Sequence, residues 1–369
     1  MMKTIEIVKD FDDQAADAVR VLLREVPGVQ VESVEREQII ADAYKVDGLI
    51  RFLSPGGSNA LVVEAKRNGA PSVVRSAIYQ LLNHVSRLRQ SYEMKGSRHF
   101  IPMLVCPYLS PASRAICNEH DVAYLDLFGN ARLAFANVYI ERAVAEKPRS
   151  ETRALRSVFS PKAAAILRVM LRQPDRSWRV ADLAAQAHAS YGHVSNVRKA
   201  LLEREWLEIR DHGAVLTQPD TLLKTWRENY RPPAGKSIRA YTHFHGRQLH
   251  ERLLGKLNPY AERPRAIYSR HSAAQWLAPF SRGRAQSLYA DGPGAELLQE
   301  ELQLKRVERG ASVVLHIPTD ESLFDDAIEH GPKVFCTNPI VTYLDLWSGG
   351  DRDREAAEYL AREFFPWMN

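Results

Sequence analysis

Residues 44–68 read YKVDGLIRFLSPGGSNALVVEAKRN, two runs suited to β-strands on either side of a Pro-Gly-Gly turn. Side chains alternate between the two faces of a strand, so Glu64 and Lys66 point the same way. A turn centred between the proline and the first glycine sets Asp47 opposite Glu64, and one centred between the glycines sets Asp47 opposite Lys66. Either alternative gathers two carboxylates and an ammonium on one face, whereas a turn centred on the first glycine separates them.

Two neighbouring carboxylates can hold Mg²⁺, which prefers oxygen ligands and keeps several waters. A lysine beside them can orient or deprotonate an attacking water and offset the charge that builds on a phosphate. Over residues 10–140 this constellation resembles the PD-(D/E)XK nuclease superfamily. The resemblance implies a catalytic set of Asp47, Glu64 and Lys66, with the two carboxylates as Mg²⁺ ligands. The alternative is a solvated strand end that carries an ordinary ion pair.

The segment around this hairpin predicts a restriction-endonuclease-like α/β core within residues 1–145. Periodic apolar positions predict helices over 12–26, 72–91 and 111–120, and strands over 29–34, 38–43, 100–108 and 122–127. Nucleases of this superfamily often carry a glutamine on the helix after the E-x-K strand, and Gln80 occupies that helix. The alternative for Gln80 is a solvated helix residue.

Composition places the chain among soluble globular proteins, with 45% hydrophobic and 26% charged residues over 369 positions. We expect two or three domains from this length, and no apolar run approaches the ~20 residues that span a bilayer. Three widely spaced cysteines indicate reduced thiols rather than a disulfide framework. We therefore expect a cytoplasmic protein without membrane association.

Charge is unevenly distributed along the chain. Residues 147–239 contain 18 Lys and Arg against 9 Asp and Glu, a net charge of +9, although the whole chain carries only +5. A basic middle segment between flanks that together carry −4 indicates an anionic partner, most plausibly nucleic acid. The alternative is a basic linker that has no partner; residues 144–159 read as such a linker.

Residues 158–220 predict a winged helix-turn-helix. Ser160-Pro161 is a helix start with serine as N-cap. A helix to about Arg172, a second at 179–187 and a third from about Ser190 precede two strands around Asp211-His212-Gly213, the pattern of a wing. In this fold the third helix enters the major groove of double-stranded DNA. The side chains predicted to contact DNA are Tyr191, His193, Ser195, Asn196, Arg198 and Lys199 on this helix and Arg210 and His212 on the wing. The alternative is a winged helix used for protein contacts.

A C-terminal α/β domain is predicted over residues 238–369, where strand-like and helical segments alternate. His243 and His245 are predicted on one strand face, but no third ligand has dependable spacing for zinc. The closing motif is TNPIVTYLDL at 337–346, followed by GDRD at 350–353 and EAAEYL at 355–360. With the winged helix and with YLDLFGN at 124–130, it resembles the AbiEi family, antitoxins of type IV toxin–antitoxin systems. This resemblance implies a DNA-binding autorepressor with a nucleotidyltransferase-like toxin as its partner.

Two functions from different classes follow from these patterns. The first is a sequence-specific DNA-binding regulator, whose C-terminal domain docks a partner or completes a homodimer and which needs no cofactor to bind DNA. The second is a Mg²⁺-dependent DNA endonuclease that its winged helix directs to a target. A third reading treats the nuclease-like core as a binding scaffold without activity.

Overall fold

The computed structural model describes residues 11–40, 44–92, 99–256, 263–279, 285–331 and 333–368. The chain divides into two compact units. The first contains Met1–Thr152 and Leu202–Glu205, and the second contains Arg153–Leu201 and Trp206–Asn369. None of the helices in the described ranges is both long enough and apolar enough to cross a membrane.

The first unit is built on a seven-stranded sheet in which the strands follow one another in chain order. β3, β4 and β5 are mutually parallel, and the other neighbours are antiparallel. The carboxyl ends of the three parallel strands therefore lie at one edge. The strands are β1 (Gln30–Ile40), β2 (Tyr44–Ser54), β3 (Gly57–Ala65), β4 (His99–Cys106), β5 (Ala123–Asp126), β6 (Ala131–Phe135) and β7 (Val138–Arg142).

Helices cover both faces of this sheet, which explains why β3 is a continuous apolar run instead of an alternating one. On one face Val62 and Leu104 pack in a core with α2 and α3. On the other face Val63 and Met103 pack in a core with α1. The helices are α1 (Phe11–Arg24), α2 (Pro71–Tyr92), α3 (Pro111–Glu119) and α4 (Arg149–Val158), and α4 contains the boundary between the two units.

The structure corrects two sequence predictions in this region. The strands predicted over 29–34 and 38–43 are one strand, β1, whose pairing with β2 is irregular between Val31 and Ser33. The gap predicted between them, residues 35–37, is a run of three charged residues inside this strand, where Glu35 and Arg36 pair with Leu49 and Gly48 of β2; residues 41–43 lie outside the described ranges. The charged linker predicted over 144–159 contains α4, because Leu155 and Val158 form a narrow buried stripe on an otherwise polar helix.

The second unit begins with three helices and a small antiparallel hairpin. The hairpin pairs Leu207 with Leu216, and Trp178 adds a bridge to its second strand by exchanging backbone hydrogen bonds of 2.8 and 2.9 Å with Ala214. A further helix leads out of this region. The elements are α5 (Pro161–Arg172), α6 (Val180–Gln186), α7 (Tyr191–Glu203), β8 (Leu207–Arg210), β9 (Gly213–Leu216) and α8 (Pro219–Asn229).

The rest of the second unit is a mixed seven-stranded sheet with the order β13-β10-β14-β12-β11-β16-β15. Its strands are β10 (Gly235–Tyr241), β11 (Ala266–Tyr268), β12 (Gln286–Ala290), β13 (Lys305–Arg306), β14 (Val313–Pro318), β15 (Ile328–Gly331) and β16 (Val334–Cys336). Its helices are α9 (Gly246–Lys256), α10 (Arg270–Leu277), α11 (Gly292–Glu301), α12 (Ser322–Asp325), α13 (Pro339–Trp347) and α14 (Asp351–Phe364).

Two sequence interpretations of this sheet were incomplete or wrong. His243 and His245 follow β10 in a loop and do not lie on a strand. In the described ranges no cluster of three or more His, Cys, Asp or Glu side chains could hold a metal ion. The motif at 337–346 contains a helix that was not predicted, α13, whose residues Pro339–Leu346 are all buried. A helix that is apolar all round has no amphipathic period to reveal it.

A buried carboxylate joins α13 to its surroundings. Asp345 is fully buried and accepts hydrogen bonds from the hydroxyl of Tyr230 at 2.7 Å and from that of Tyr289 at 2.9 Å. On α5 the buried guanidinium of Arg168 donates to Asp326 at 2.6 Å. Because an unpaired buried polar group is costly, these contacts hold α5, the residue after α8 and the C-terminal sheet in one arrangement.

Replacing Asp345 with alanine should leave two buried tyrosine hydroxyls without an acceptor. We expect Asp345→Ala to lower the free energy of unfolding by about 3 kcal/mol, since each buried donor left unpaired costs roughly 1–3 kcal/mol. Urea unfolding followed by circular dichroism measures the change. Glu355→Ala, an exposed change on α14, is the control and should have little effect; equal stability of the two variants would contradict the role of Asp345.

Asp345 should also give stability a defined dependence on pH. Burial raises the pKa of this carboxyl, and the hydrogen bonds from Tyr230 and Tyr289 offset only part of that effect. The folded state therefore holds the proton more tightly than the unfolded chain, whose aspartates titrate near ~3.9, so Asp345 favours folding most at low pH. The free energy of unfolding of Asp345→Asn minus that of the wild type should become more positive as the pH rises above ~4. A constant difference between pH 4 and pH 7 would contradict the raised pKa.

Candidate active site and nucleic-acid interface

The register of the β2–β3 hairpin decides how its charged residues meet. Ser54 pairs with Gly57 and Gly48 pairs with Val63. The turn is therefore centred between the proline and the first glycine, and the same register continues to place Asp47 opposite Glu64. This is the first of the two arrangements that bring the predicted catalytic residues together.

The contacts at the end of β3 gather Asp47, Glu64 and Lys66. The backbone N–H of Ala65 donates to Oδ2 of Asp47 at 2.8 Å, and Nζ of Lys66 donates to Oε1 of Glu64 at 2.5 Å. The backbone N–H of Lys66 also donates to the carbonyl of Val105 at 2.9 Å, which holds the lysine beside the end of β4. The trio thus lies at the carboxyl edge of the parallel strands.

Burial and charge act on these groups in opposite directions. Glu64 is 2% exposed, and this burial raises its pKa, as does the charge of Asp47, while Lys66 lowers it through their hydrogen bond and its positive charge. Burial alone would lower the pKa of Lys66, but Glu64 and Asp47 outweigh it and the net pKa is raised. Lys66 is therefore an ammonium at neutral pH, suited to hydrogen-bond donation and charge stabilisation more than to taking up a proton.

The donor set fits Mg²⁺ in its chemistry. Protein sites for this ion commonly use one or two carboxylates and leave the remaining positions to water or substrate phosphate. Asp47 and Glu64 supply two, and the charged form of a buried carboxylate such as Glu64 is stabilised by a nearby cation. No cluster of three or more candidate ligands occurs within the described ranges, so any ion here would depend on these two side chains.

The helix α2 carries the predicted Gln80 and, one turn further along, His84. Gln80 has an exposed side chain, and no hydrogen bond between it and the charged trio occurs in the described structure. His84, one turn further along, is buried; burial lowers its pKa, as do the charges of Arg87 and Lys66, while Asp47 raises it. The pKa of His84 is therefore affected by two of the three charged residues, and the role of Gln80 stays a prediction.

Asp126 ends β5 at the same edge and has a structural role. Its carboxylate accepts four hydrogen bonds of 2.7–3.0 Å, from the backbone N–H groups of Leu109, Phe128 and Asn130 and from Nδ2 of Asn130. These donors come from the loops that follow β4 and β5. The motif YLDLFGN therefore contains a carboxylate that shapes two loops and has its lone pairs occupied.

The predicted recognition helix α7 separates an apolar face from a polar one. Val194, Val197 and Leu201 are buried. Ser190 precedes the helix, and its Oγ accepts a hydrogen bond from the backbone N–H of His193 at 3.3 Å. Among the predicted DNA contacts, Tyr191, Ser195, Asn196 and Lys199 are exposed, whereas His193 and Arg198 are half-buried.

The hairpin β8–β9 presents the other two predicted contacts. His212 is exposed in its turn, and Arg210 is exposed but donates to Glu208, which partly neutralises its charge. The turn requires Gly213: its φ is +149°, and a Cβ there would lie 2.5 Å from the carbonyl oxygen of Trp178. The tip of the β8–β9 hairpin therefore lies close to the bridge between Trp178 and Ala214.

Comparison with solved structures gives weak likenesses. A complex of EndoMS with double-stranded DNA has 22% identity and a TM-score of 0.23, covering 34% of this chain and 48% of that one. A repair endonuclease from Pyrococcus abyssi has 22% identity and a TM-score of 0.22, covering 32% of this chain and 49% of that one. SfsA from Pyrococcus furiosus with Ca²⁺ has 17% identity and a TM-score of 0.18, covering 35% and 61%. The chain spans about half the length of the first two proteins. TM-scores this low do not establish a shared fold or activity.

Comparison with protein families gives a match over the C-terminal part of the chain. No curated protein matches the sequence. A family model does match, from Val215 in β9 to Phe364 at the end of α14, and most of the region predicted as a winged helix lies before it. The earlier resemblance to AbiEi antitoxins is confirmed for this segment. Residues 215–364, the larger C-terminal part of the second unit, are similar to the family described as transcriptional regulator, AbiEi antitoxin, type IV TA system.

Proposed function

We propose that the protein is a DNA-binding transcriptional regulator, the antitoxin of a type IV toxin–antitoxin system. The observation that carries this proposal is the family match over residues 215–364. An antitoxin binds or counteracts a toxin, so the proposal includes a toxin as partner. The resemblance to AbiEi antitoxins implies that this toxin is a nucleotidyltransferase-like protein. A cytoplasmic location, operator DNA as ligand and assembly as a homodimer belong to the same proposal.

The DNA-binding module in this proposal is a winged helix formed by α5, α6, α7 and the hairpin β8–β9. Its support is the order of three helices followed by a hairpin, with Trp178 as the short strand that bridges to β9. The net charge of +9 over residues 147–239 favours a polyanionic ligand. The module precedes the segment that matches the family, so its role rests on its own geometry and charge.

Within this module α7 would read base edges in the major groove. Asn196 is exposed and can form a bidentate pair with adenine, while Lys199 can contact guanine or a phosphate. Tyr191 is 65% exposed at the first turn and offers a ring and a hydroxyl. His193 and Arg198 are half-buried and would contact DNA from the sides of the helix, and His212 and Arg210 would reach the backbone or the minor groove.

Binding of the full-length protein to the DNA upstream of its own gene should fall steeply as salt rises. Each phosphate contact releases condensed counterions, and a protein with several such contacts loses orders of magnitude in affinity between about 50 and 200 mM salt. Filter binding at several salt concentrations measures the slope. Binding that is absent, or that does not change with salt, would contradict the proposal.

Substitutions on α7 should separate sequence reading from phosphate attraction. Asn196→Ala should weaken binding to the operator by about 1–3 kcal/mol and leave binding to unrelated DNA nearly unchanged. Lys199→Ala, if its contact is a phosphate, should weaken both and reduce the salt slope by about 1. Arg362→Ala removes an exposed charge from α14 and serves as the control. If Asn196→Ala behaves like this control on the operator, α7 is not the reading helix.

A second candidate function is favoured by one observation, the convergence of Asp47, Glu64 and Lys66 at a sheet edge. In a Mg²⁺-dependent nuclease Asp47 and Glu64 would hold the ion, which supplies Lewis-acid charge next to a phosphate when bound. Lys66 would stabilise negative charge on the phosphate oxygens, because its pairing with Glu64 keeps it protonated. His84 would stay neutral, because burial lowers its pKa.

Cleavage of double-stranded DNA by the purified protein tests this second function. With Mg²⁺ or Mn²⁺ present, activity should be abolished by Asp47→Asn and by Lys66→Ala, because these remove a carboxylate ligand and the nearby positive charge. Arg67→Ala changes the adjacent exposed cation and should keep the activity. Cleavage by both the Asp47→Asn and the Lys66→Ala variants would show that this site is not the nuclease site. Absence of cleavage by the wild type would contradict the nuclease function and favour a first unit that only binds.

A further inference from the structure

A cavity of about 520 Å³ opens between helices α9 and α10 and strands β11 and β12 of the C-terminal sheet. Ligand pockets in proteins typically enclose roughly 300–1,000 Å³, so this space is large enough for a small organic molecule. Its chemically distinctive lining residues are His250, Tyr268, Gln275, Trp276 and Gln286. None of them takes part in the DNA contacts or the charged trio described above.

One side of the cavity is aromatic, and its indole, Trp276, also contacts the rings of Tyr268 and His330 at tilted angles. The imidazole of His250 stacks on the indole of Trp276, with 5.0 Å between ring centroids and 25° between their planes. The hydroxyl of Tyr268 lies 3.4 Å from Nδ1 of His250 and fixes that ring. Burial lowers the pKa of His250, so the imidazole is neutral at neutral pH and the stack carries no charge. Such a surface suits a planar, uncharged ring.

The lining also includes Arg247, whose guanidinium pairs with Glu251, and among the described residues the lining side chains that remain without a polar partner are two carboxamides. Gln275 and Gln286 are both half-buried, and within the described ranges neither side chain makes a hydrogen bond. Each carboxamide offers two donors and an acceptor. Half-buried amides without protein partners are best satisfied by water or by a ligand whose edge has donors and acceptors of its own.

We infer that this cavity binds a nucleobase, which stacks against Trp276 and presents its hydrogen-bonding edge to Gln275 and Gln286. A purely apolar ring would use the stack but leave both amides unpaired. A sugar or a free phosphate would use the amides and Arg247 but would gain little from an uncharged aromatic wall. A nucleobase uses both, because every base has a π-face and an edge of donors and acceptors.

The base could belong to a free nucleotide or to a nucleic-acid strand, and the chemistry of recognition is the same for both. The inference does not depend on operator binding by α7, since the two sites share no residue. Loss of operator binding in Asn196→Ala should therefore leave nucleobase binding intact, and this separates a failure of one idea from a failure of the other.

Isothermal titration calorimetry on the full-length protein tests the inference with the 5′-monophosphates of adenosine, guanosine, cytidine and uridine. Ribose 5-phosphate, which lacks a base, is the matched control ligand. We expect at least one nucleotide to bind and ribose 5-phosphate to give no signal. A short single-stranded oligonucleotide forms a further arm: binding by the oligonucleotide alone would assign the base to a strand, and binding by a mononucleotide would assign it to a free ligand.

Three variants connect the signal to the cavity. Trp276→Leu removes the stack and should weaken binding about ten-fold or more, while Trp276→Phe keeps a ring and should weaken it less. The double variant Gln275→Ala/Gln286→Ala should also weaken binding and change the preference among bases. Gln248→Ala alters an exposed residue of α9 outside the cavity and should change nothing.

The inference fails if no nucleotide and no oligonucleotide binds at concentrations up to about 5 mM, where even weak sites are detected. It also fails if ribose 5-phosphate binds as well as the nucleotides. Unchanged affinity in a folded Trp276→Leu variant would place the ligand elsewhere. Thermal unfolding of each variant shows whether it is folded. If the Trp276→Leu variant is unfolded, the Trp276→Phe variant still tests whether the ring at this position affects binding.

Discussion

A carboxylate can be buried only where hydrogen-bond donors or cations reach it, and this constraint shapes both units of the chain. Asp126 receives four hydrogen bonds and holds two loops at the edge of the first sheet. Asp345 receives two from tyrosines and fastens α13 to the residue that follows α8. Glu64 differs, because among the described residues its one donor is Lys66, the residue that follows the end of β3. The first two carboxylates are satisfied by the fold, whereas Glu64 retains capacity for a cation.

The parts of the fold that the sequence predicts are those with a clear period or a strong boundary signal. The hairpin around residues 44–68, the long helix α2 and the helices α5 to α7 all have regular apolar spacing and identifiable ends. The strand β1 contains a run of three charged residues, and α4 hides a two-residue apolar stripe among charges. α13 gives no amphipathic signal because it is buried on every side. Tertiary burial decided these elements, and local pattern could not reveal it.

The candidate sites show the same limit. The sequence of the β2–β3 hairpin left two strand registers that bring Asp47, Glu64 and Lys66 together. The structure has one of these two registers. The role of Gln80 on α2 stays a prediction, and the burial of its neighbour His84 one turn along became evident only from the structure. The cavity lined by His250, Trp276 and Gln286 was not predicted, because its residues come from separate elements whose proximity depends on the order of strands in the sheet. A motif within one hairpin can be read locally, but a site assembled from several elements cannot.

Regulation of its own promoter is the central claim of this account. The most direct measurement is the activity, in cells, of a reporter placed behind the DNA upstream of the gene, with the full-length protein supplied separately. The account predicts repression by the wild type and by Asp47→Ala, and loss of repression with Asn196→Ala and Lys199→Ala combined. Reporter activity that the wild type leaves unchanged, or repression that survives the combined substitutions on α7, would contradict it.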